Sequence, residues 1–182
     1  HNYTLAGIHN VSIRGNASRV AFGGNGGETP ELLYDILNNM SIGVSGIDSA
    51  EDMFRGILIS NFTEEHFFDE VSGNVTEMFY MFRNADSFNG NISTWDVGNV
   101  SDMFGMFTYA GSFNGDLSSW DVSNVGDMAY MFGFATSFNG DLSSWDVSNV
   151  GDMDYMFNGA TSFNGNISSW DVSNVGDMDY MF

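Results

Sequence analysis

Apolar positions along this chain return every 25 residues. Trp95, Trp120, Trp145 and Trp170 keep that interval, and so do Phe88, Phe113, Phe138 and Phe163. Two methionine series share it, one from Met53 to Met178 and the other from Met81 to Met181. Within one period, Leu117, Trp120, Val122 and Val125 form a ladder that alternates around the tryptophan. Alternation predicts a short strand with Trp120 and Val122 inward and Ser119, Asp121 and Ser123 outward. Val125, Met128, Met131 and Phe132 then fall at i, i+3, i+6 and i+7, the face of a short helical turn. Ser123 or Asn124 serves as its N-cap, and Asp127 in the first turn suits the helix dipole. "FATSFNGD" (134–141) turns the chain back through Asn139-Gly140.

Strand, helical turn and return loop make one coil, and an isolated coil cannot bury its apolar face. The expected fold is therefore a repeat solenoid of 25-residue coils, over residues 46–182. Stacking would set each tryptophan on the next at about 4.8 Å, the interstrand distance. Each buried tryptophan removes on the order of 200 Å² from water, worth about 5 kcal/mol. The first copy is degenerate: "GIDSAEDM" (46–53) aligns with "DVSNVGDM" (121–128), but "FTEEHFFDEVSGNVTEM" replaces the tryptophan stretch. The last copy breaks off at "DMDYMF", so either the protein continues or another subunit covers an apolar edge.

Residues 1–45 read differently. Two short alternating strands precede the loop "GGNGGETP", and a helix is predicted over 29–40, with Thr29 as N-cap, Pro30 at the first helical position and Leu32, Leu33, Ile36 and Leu37 on its apolar face. This segment is expected to cap the first coil, or to dock on a neighbouring subunit's sheet.

Composition narrows the partners. The 24 acidic residues face only Arg14, Arg19, Arg55 and Arg83, for a net charge of −20. From residue 84 onward there are 13 aspartates and no basic residue. Such a surface repels nucleic acid and anionic lipid, and suits divalent cations or a cationic partner. There is no cysteine, and no apolar run long enough for direct membrane insertion. The chain opens on His1, consistent with a removed leader or a fragment.

Catalysis finds little support. His1, His9 and His66 have no zinc spacing, and the carboxylate pairs recur in every coil, whereas an active site needs one distinguished position. No cofactor is expected, calcium excepted. Asp96, Asp121, Asp146 and Asp171 form one file along the sheet face, and Asp102, Asp127, Asp152 and Asp177 a second near the helix starts. The first file supplies candidate calcium ligands, although the spacing lacks the dense pattern of dedicated calcium loops. Asn-x-Ser/Thr acceptors begin at Asn2, Asn10, Asn16, Asn39, Asn61, Asn74, Asn91, Asn99 and Asn166. Chance predicts about three, and the excess points to a secreted, N-glycosylated chain.

The string "MFxxATSFNGDLSSWDVSNVGDMxYMF" resembles the 25-residue repeat of mycoplasma-type surface lipoproteins, the BspA-like leucine-rich repeat surface proteins. The resemblance is clear over 78–182 and fainter over 46–77. It implies a leucine-rich-repeat-like solenoid on secreted or cell-surface proteins, with adhesion or interaction roles and no active site. One departure is that Gly126, Gly151 and Gly176 stand where the family has threonine after Asn-Val; only Thr76 and Ser101 keep a hydroxyl there. The expected function is a non-enzymatic extracellular structural protein whose copies meet head-to-tail in a surface filament or sheath. The alternative is an adhesin or ligand-binding module presenting the Ser/Asp face to a host surface or glycan.

Overall fold

The computed structural model describes residues 75–182. The 1–45 cap, its helix at 29–40 and the degenerate copy lie outside the described residues, apart from the end of that copy.

Successive 25-residue units lie one on the next in parallel register. Isolated bridges join Glu77 to Asp102, Asp102 to Asp127, Asp127 to Asp152 and Asp152 to Asp177. Following each bridge, alternate residues donate to the next unit: Met128 N–H to the Asp152 carbonyl, Tyr130 to Asp154, Phe132 to Met156 and Phe134 to Asn158, at 2.7–3.0 Å. The residues between them donate backward within their own unit, Met131 to Met128, Gly133 to Tyr130 and Ala135 to Phe132. More tight turns complete the unit, closed by Trp120 N–H on Leu117, Val125 on Val122 and Phe138 on Ala135.

This corrects the local expectation at 120–132. Among the described residues there is no α-helix and no β-strand, only turns and single bridges. An apolar residue every third position is compatible with a helix, but a helix needs each N–H for its own i−4 carbonyl. Here half of those donors are spent on the neighbouring unit. Left-handed residues also interrupt any helical run, at Tyr130 (φ 57°) and Phe134 (φ 57°) in one unit and at Gly105 and Tyr109 in the unit before.

Each turn brings an apolar side chain inward. Leu117, Trp120, Val122, Val125, Met128, Met131, Phe132, Ala135 and Phe138 are all buried. Aromatic rings run through this core in files. Phe82, Phe107, Phe132 and Phe157 stack with centroids 5.4–5.6 Å apart. Inside a unit the rings close up further, with Phe107 on Phe113 at 4.1 Å. The tryptophans are parallel but offset, Trp95 to Trp120 at 6.4 Å and Trp145 to Trp170 at 6.5 Å. That is wider than the interstrand spacing expected for them. Trp145 also leans against Phe132 at 6.3 Å, so the ladder mixes the two residue types.

Candidate functional site

Aspartate and asparagine recur because the turns need them. Asp121 Oδ1 accepts from the Ser123 N–H and hydroxyl, Asp146 Oδ1 from the Ser148 N–H, and Asp171 Oδ1 from the Ser173 N–H. Asp116 and Asp141 cap the turns at Ser118 and Ser143 in the same way. Asp102, Asp127, Asp152 and Asp177 cap the turns that follow the bridges. A short carboxylate closing on the N–H two residues on replaces a backbone turn bond.

These bonds set the acidities. Hydrogen bonds from Ser123, chiefly its hydroxyl, hold the Asp121 carboxyl below the usual aspartate value, and Ser148 and Ser173 do the same for Asp146 and Asp171. The backbone of Ser118 and of Ser143 lowers Asp116 and Asp141. Asp127 goes the other way: burial raises it despite the Ala129 N–H, and Asp102 and Asp152 add to the rise.

The structure places Asp96, Asp121, Asp146 and Asp171 in one exposed file, one per unit. Each turns Oδ1 onto its own turn. Among the described residues no three His, Asp or Glu side chains gather in a way that could hold a metal ion.

Other polar side chains of the face stitch units together. Trp120, Trp145 and Trp170 donate Nε1–H to the carbonyls of Ile92, Leu117 and Leu142, each at 3.0 Å. Ser119 and Ser144 donate their hydroxyls to the Ser93 and Ser118 carbonyls. Asn89, Asn114 and Asn139 form an amide ladder, each Oδ1 accepting the N–H of the asparagine 25 residues on.

Of the nine sequon asparagines, three fall among the described residues, and all three are exposed: Asn91, Asn99 and Asn166. Asn91 and Asn166 fill the turn-capping position of Asp116 and Asp141, with Oδ1 on the N–H of Ser93 and Ser168. Asn124, Asn149 and Asn174 share the register of Asn99 and spend Nδ2 on a carbonyl of the preceding unit. A glycan at that register takes the same nitrogen.

A second surface feature goes beyond what the periodicity assigns. Tyr130, Tyr155 and Tyr180 stack at 4.6 and 5.0 Å, and Tyr109 stacks on Phe134 at 4.7 Å. Tyr109 and Phe134 are 44% and 39% exposed. All five residues have positive φ, between 52° and 60°. Glycine takes such a backbone at no steric expense and does so at Gly105 and Gly159, in the same two registers. A left-handed backbone at an aromatic residue costs roughly 1–2 kcal/mol, while ring stacking returns about 0.5–1.5 kcal/mol. Stacking thus offsets much of that strain, and burial of the part-covered rings adds to it. The signal in the sequence is the tyrosine of "DMxYMF", a recurring ring outside the buried set.

Asp154 breaks the repeat beside these rings, standing where the earlier units have Phe79, Phe104 and Ala129. The side chain is half-buried, with Oδ1 closed off from solvent and the Tyr155 backbone beside the carboxyl. Burial, then the charges of Asp177, Asp152 and Asp179, raise its carboxyl above the usual value. Burial and the charge of Asp154 likewise hold the Tyr130 hydroxyl above its ordinary range.

The family model described as "Mycoplasma protein of unknown function, DUF285" matches residues 48–161 and 116–182. No curated protein and no solved structure matches the chain.

Proposed function

The chain belongs to that Mycoplasma family, and on this premise we propose that it is a non-enzymatic structural protein of the cell surface, a leucine-rich-repeat-like solenoid that builds a filament or sheath. The observation that carries the reading is where the polar groups go. Backbone donors, tryptophan indoles, serine hydroxyls and asparagine amides are turned onto the neighbouring unit, in the same register each time. Material spent on joining units suits a structural role better than a catalytic one, which needs a distinguished position.

Copies of the chain would meet head-to-tail, because a ladder built by repeated translation accepts another translated edge. Glycosylation at the sequons and an extracellular location belong to the same proposal, and so does the descent from surface lipoproteins that the repeat suggests. Negative-stain images of concentrated protein test it: filaments are expected, and discrete monomers at every concentration would sink the assembly idea. An intact mass of 20.0 kDa from a glycosylating host would remove the glycans.

A second reading is favoured by the exposed file of Asp121, Asp146 and Asp171, whose carboxyls, held below the usual aspartate value, stay charged to lower pH than a free aspartate. As an adhesin, the protein would offer this file to a host surface or glycan. Array binding left untouched by Asp121→Asn with Asp146→Asn counts against it. Calcium between adjacent carboxylates of the file is a further proposal, and a melting temperature unchanged by a chelator removes it.

A further inference from the structure

We propose that Tyr130, Tyr155 and Tyr180 form an oxidative cross-linking site, at which the phenols of neighbouring units couple to dityrosine and staple one unit to the next. The sequence narrows the chemistry first. The chain has no cysteine, and its four basic residues are all arginine, so it can make neither a disulfide nor a lysine-derived bond. The tyrosine phenol is left as the side chain that couples to its own kind under mild one-electron oxidation.

Geometry then places the phenols together. Tyr130 and Tyr155 stack with centroids 4.6 Å apart and planes 8° from parallel, and Tyr155 and Tyr180 follow at 5.0 Å and 23°. The three share one register and one backbone conformation, with φ of 57°, 53° and 52°. Translation from unit to unit therefore sets each ring over its like, hydroxyl over hydroxyl and ortho carbon over ortho carbon. A partner held against the ring replaces the search of one radical for another through solution. Other tyrosines have different neighbours. Gly105 stands between Tyr80 and Tyr130 in the file, and the Tyr80 ring lies over it, so that a Cβ there would meet Tyr80 Cε1 at 2.6 Å. Tyr109 stacks on Phe134, which carries no phenol, and Asn84 precedes it in the register. Tyr130 and Tyr155 are half-buried and Tyr180 is exposed, which leaves ring edges within reach of a small oxidant.

In the coupling, each phenol gives an electron to the oxidant and a proton to water. The two phenoxyl radicals join through a carbon ortho to each oxygen, forming one C–C bond. The hydrogen on each joined carbon then leaves as a proton while each oxygen regains one, which restores both phenols. The chain loses two hydrogen atoms for each link, and two equivalents of a one-electron oxidant are reduced. A peroxidase supplied with hydrogen peroxide is an oxidant of this class. The link closes a 25-residue loop and so removes freedom from the unfolded chain, as a disulfide does.

The inference goes beyond the structural reading and does not depend on assembly, because the bond lies within one chain. The test oxidises the dilute 182-residue chain with light, persulfate and tris-bipyridyl ruthenium, a small one-electron oxidant, and maps the linked peptides by mass spectrometry. Expected are dityrosine fluorescence, a monomer lighter by two hydrogen atoms per link, and peptides joining Tyr130 to Tyr155 or Tyr155 to Tyr180. Tyr155→Phe keeps a ring in the stack but removes the phenol common to both pairs, and should abolish most of the fluorescence. Tyr80→Phe should leave it unchanged. Unfolding in urea before oxidation should lower the yield severalfold, because proximity is lost. The proposal is overturned if no dityrosine forms, if links form only between chains, or if Tyr80 or Tyr109 couples as readily as Tyr155. It also fails if the urea-unfolded chain gives an equal yield, or if Tyr155→Phe, shown folded by its melting curve, fluoresces as the parent does.

Discussion

Gly126 stands in the register where Ser101 donates its hydroxyl to the Thr76 carbonyl at 3.1 Å. A Cβ added at Gly126 would meet the Ser101 carbonyl oxygen at 3.7 Å, an ordinary contact. Gly126→Ser should therefore stabilise the protein by about 0.5–1.5 kcal/mol, through a new hydrogen bond and a less free unfolded chain. Urea unfolding checks this, and an unchanged or lower midpoint refutes it. The opposite is expected in the core. Trp145→Phe keeps an aromatic ring but removes one of the two donors to the Leu117 carbonyl, which retains the Trp120 N–H. The lost hydrogen bond should cost about 0.5–1.5 kcal/mol. At Phe134, by contrast, about 1–2 kcal/mol of left-handed strain opposes the stacking and partial burial of the ring. Phe134→Gly should therefore cost clearly less than Phe132→Gly, whose ring is fully buried and whose backbone is not left-handed, and equal thermal losses would refute this.

The 25-residue unit is held by its turns, and the turns by their caps. Asp121→Ala removes the acceptor for both the N–H and hydroxyl of Ser123 and should cost about 1 kcal/mol. Asp121→Asn keeps an acceptor oxygen and should recover most of that loss, which also makes it a fair probe of the adhesin reading. The two substitutions falling equally would mean that charge, not turn geometry, is what Asp121 supplies. At this scale the sequence is only partly legible. Its alternation sends Ser119, Asp121 and Ser123 outward; Asp121 and Ser119 are exposed and Ser123 is half-buried, while Trp120 and Val122 lie inside. The helical turn from Val125 to Phe132 does not form, because its donors go to Asp152, Asp154 and Met156 in the next unit.

Over the whole molecule, two populations of carboxylates pull stability in opposite directions with pH. Asp116, Asp121, Asp141, Asp146 and Asp171 have lowered values in the fold. Below the ordinary value of 3.8 the unfolded chain takes up their protons first, so stability falls as the pH falls. Asp127 and Asp154 have raised values. Above 3.8 the folded chain takes up their protons first, so stability grows as pH drops from neutral toward that value. Relief of self-repulsion at a net charge of −20 has the same sign. The melting temperature should therefore peak on the acidic side of neutral, above 3.8, and fall below it. A steady decline from pH 7 downward would contradict this, and Asp154→Asn should flatten the rise on the acidic side.

By itself the sequence determined the period, and with it the buried set. Side chains repeated every 25 residues find identical neighbours when units stack, so the spacing alone assigns Trp120, Val122, Met128 and Phe138 to the interior, where all four lie. It also marked the acidic files, since Asx residues declare turns. Only the tertiary structure decided where each N–H would go. A bond such as Gly151 N–H to the Gly126 carbonyl joins residues that no local propensity relates. It also decided the backbone of Tyr130 and Phe134, which take a conformation disfavoured for such side chains in an isolated peptide. Stacked on the unit beside them, those rings recover what the backbone gives up, and that compensation exists only once the units lie together.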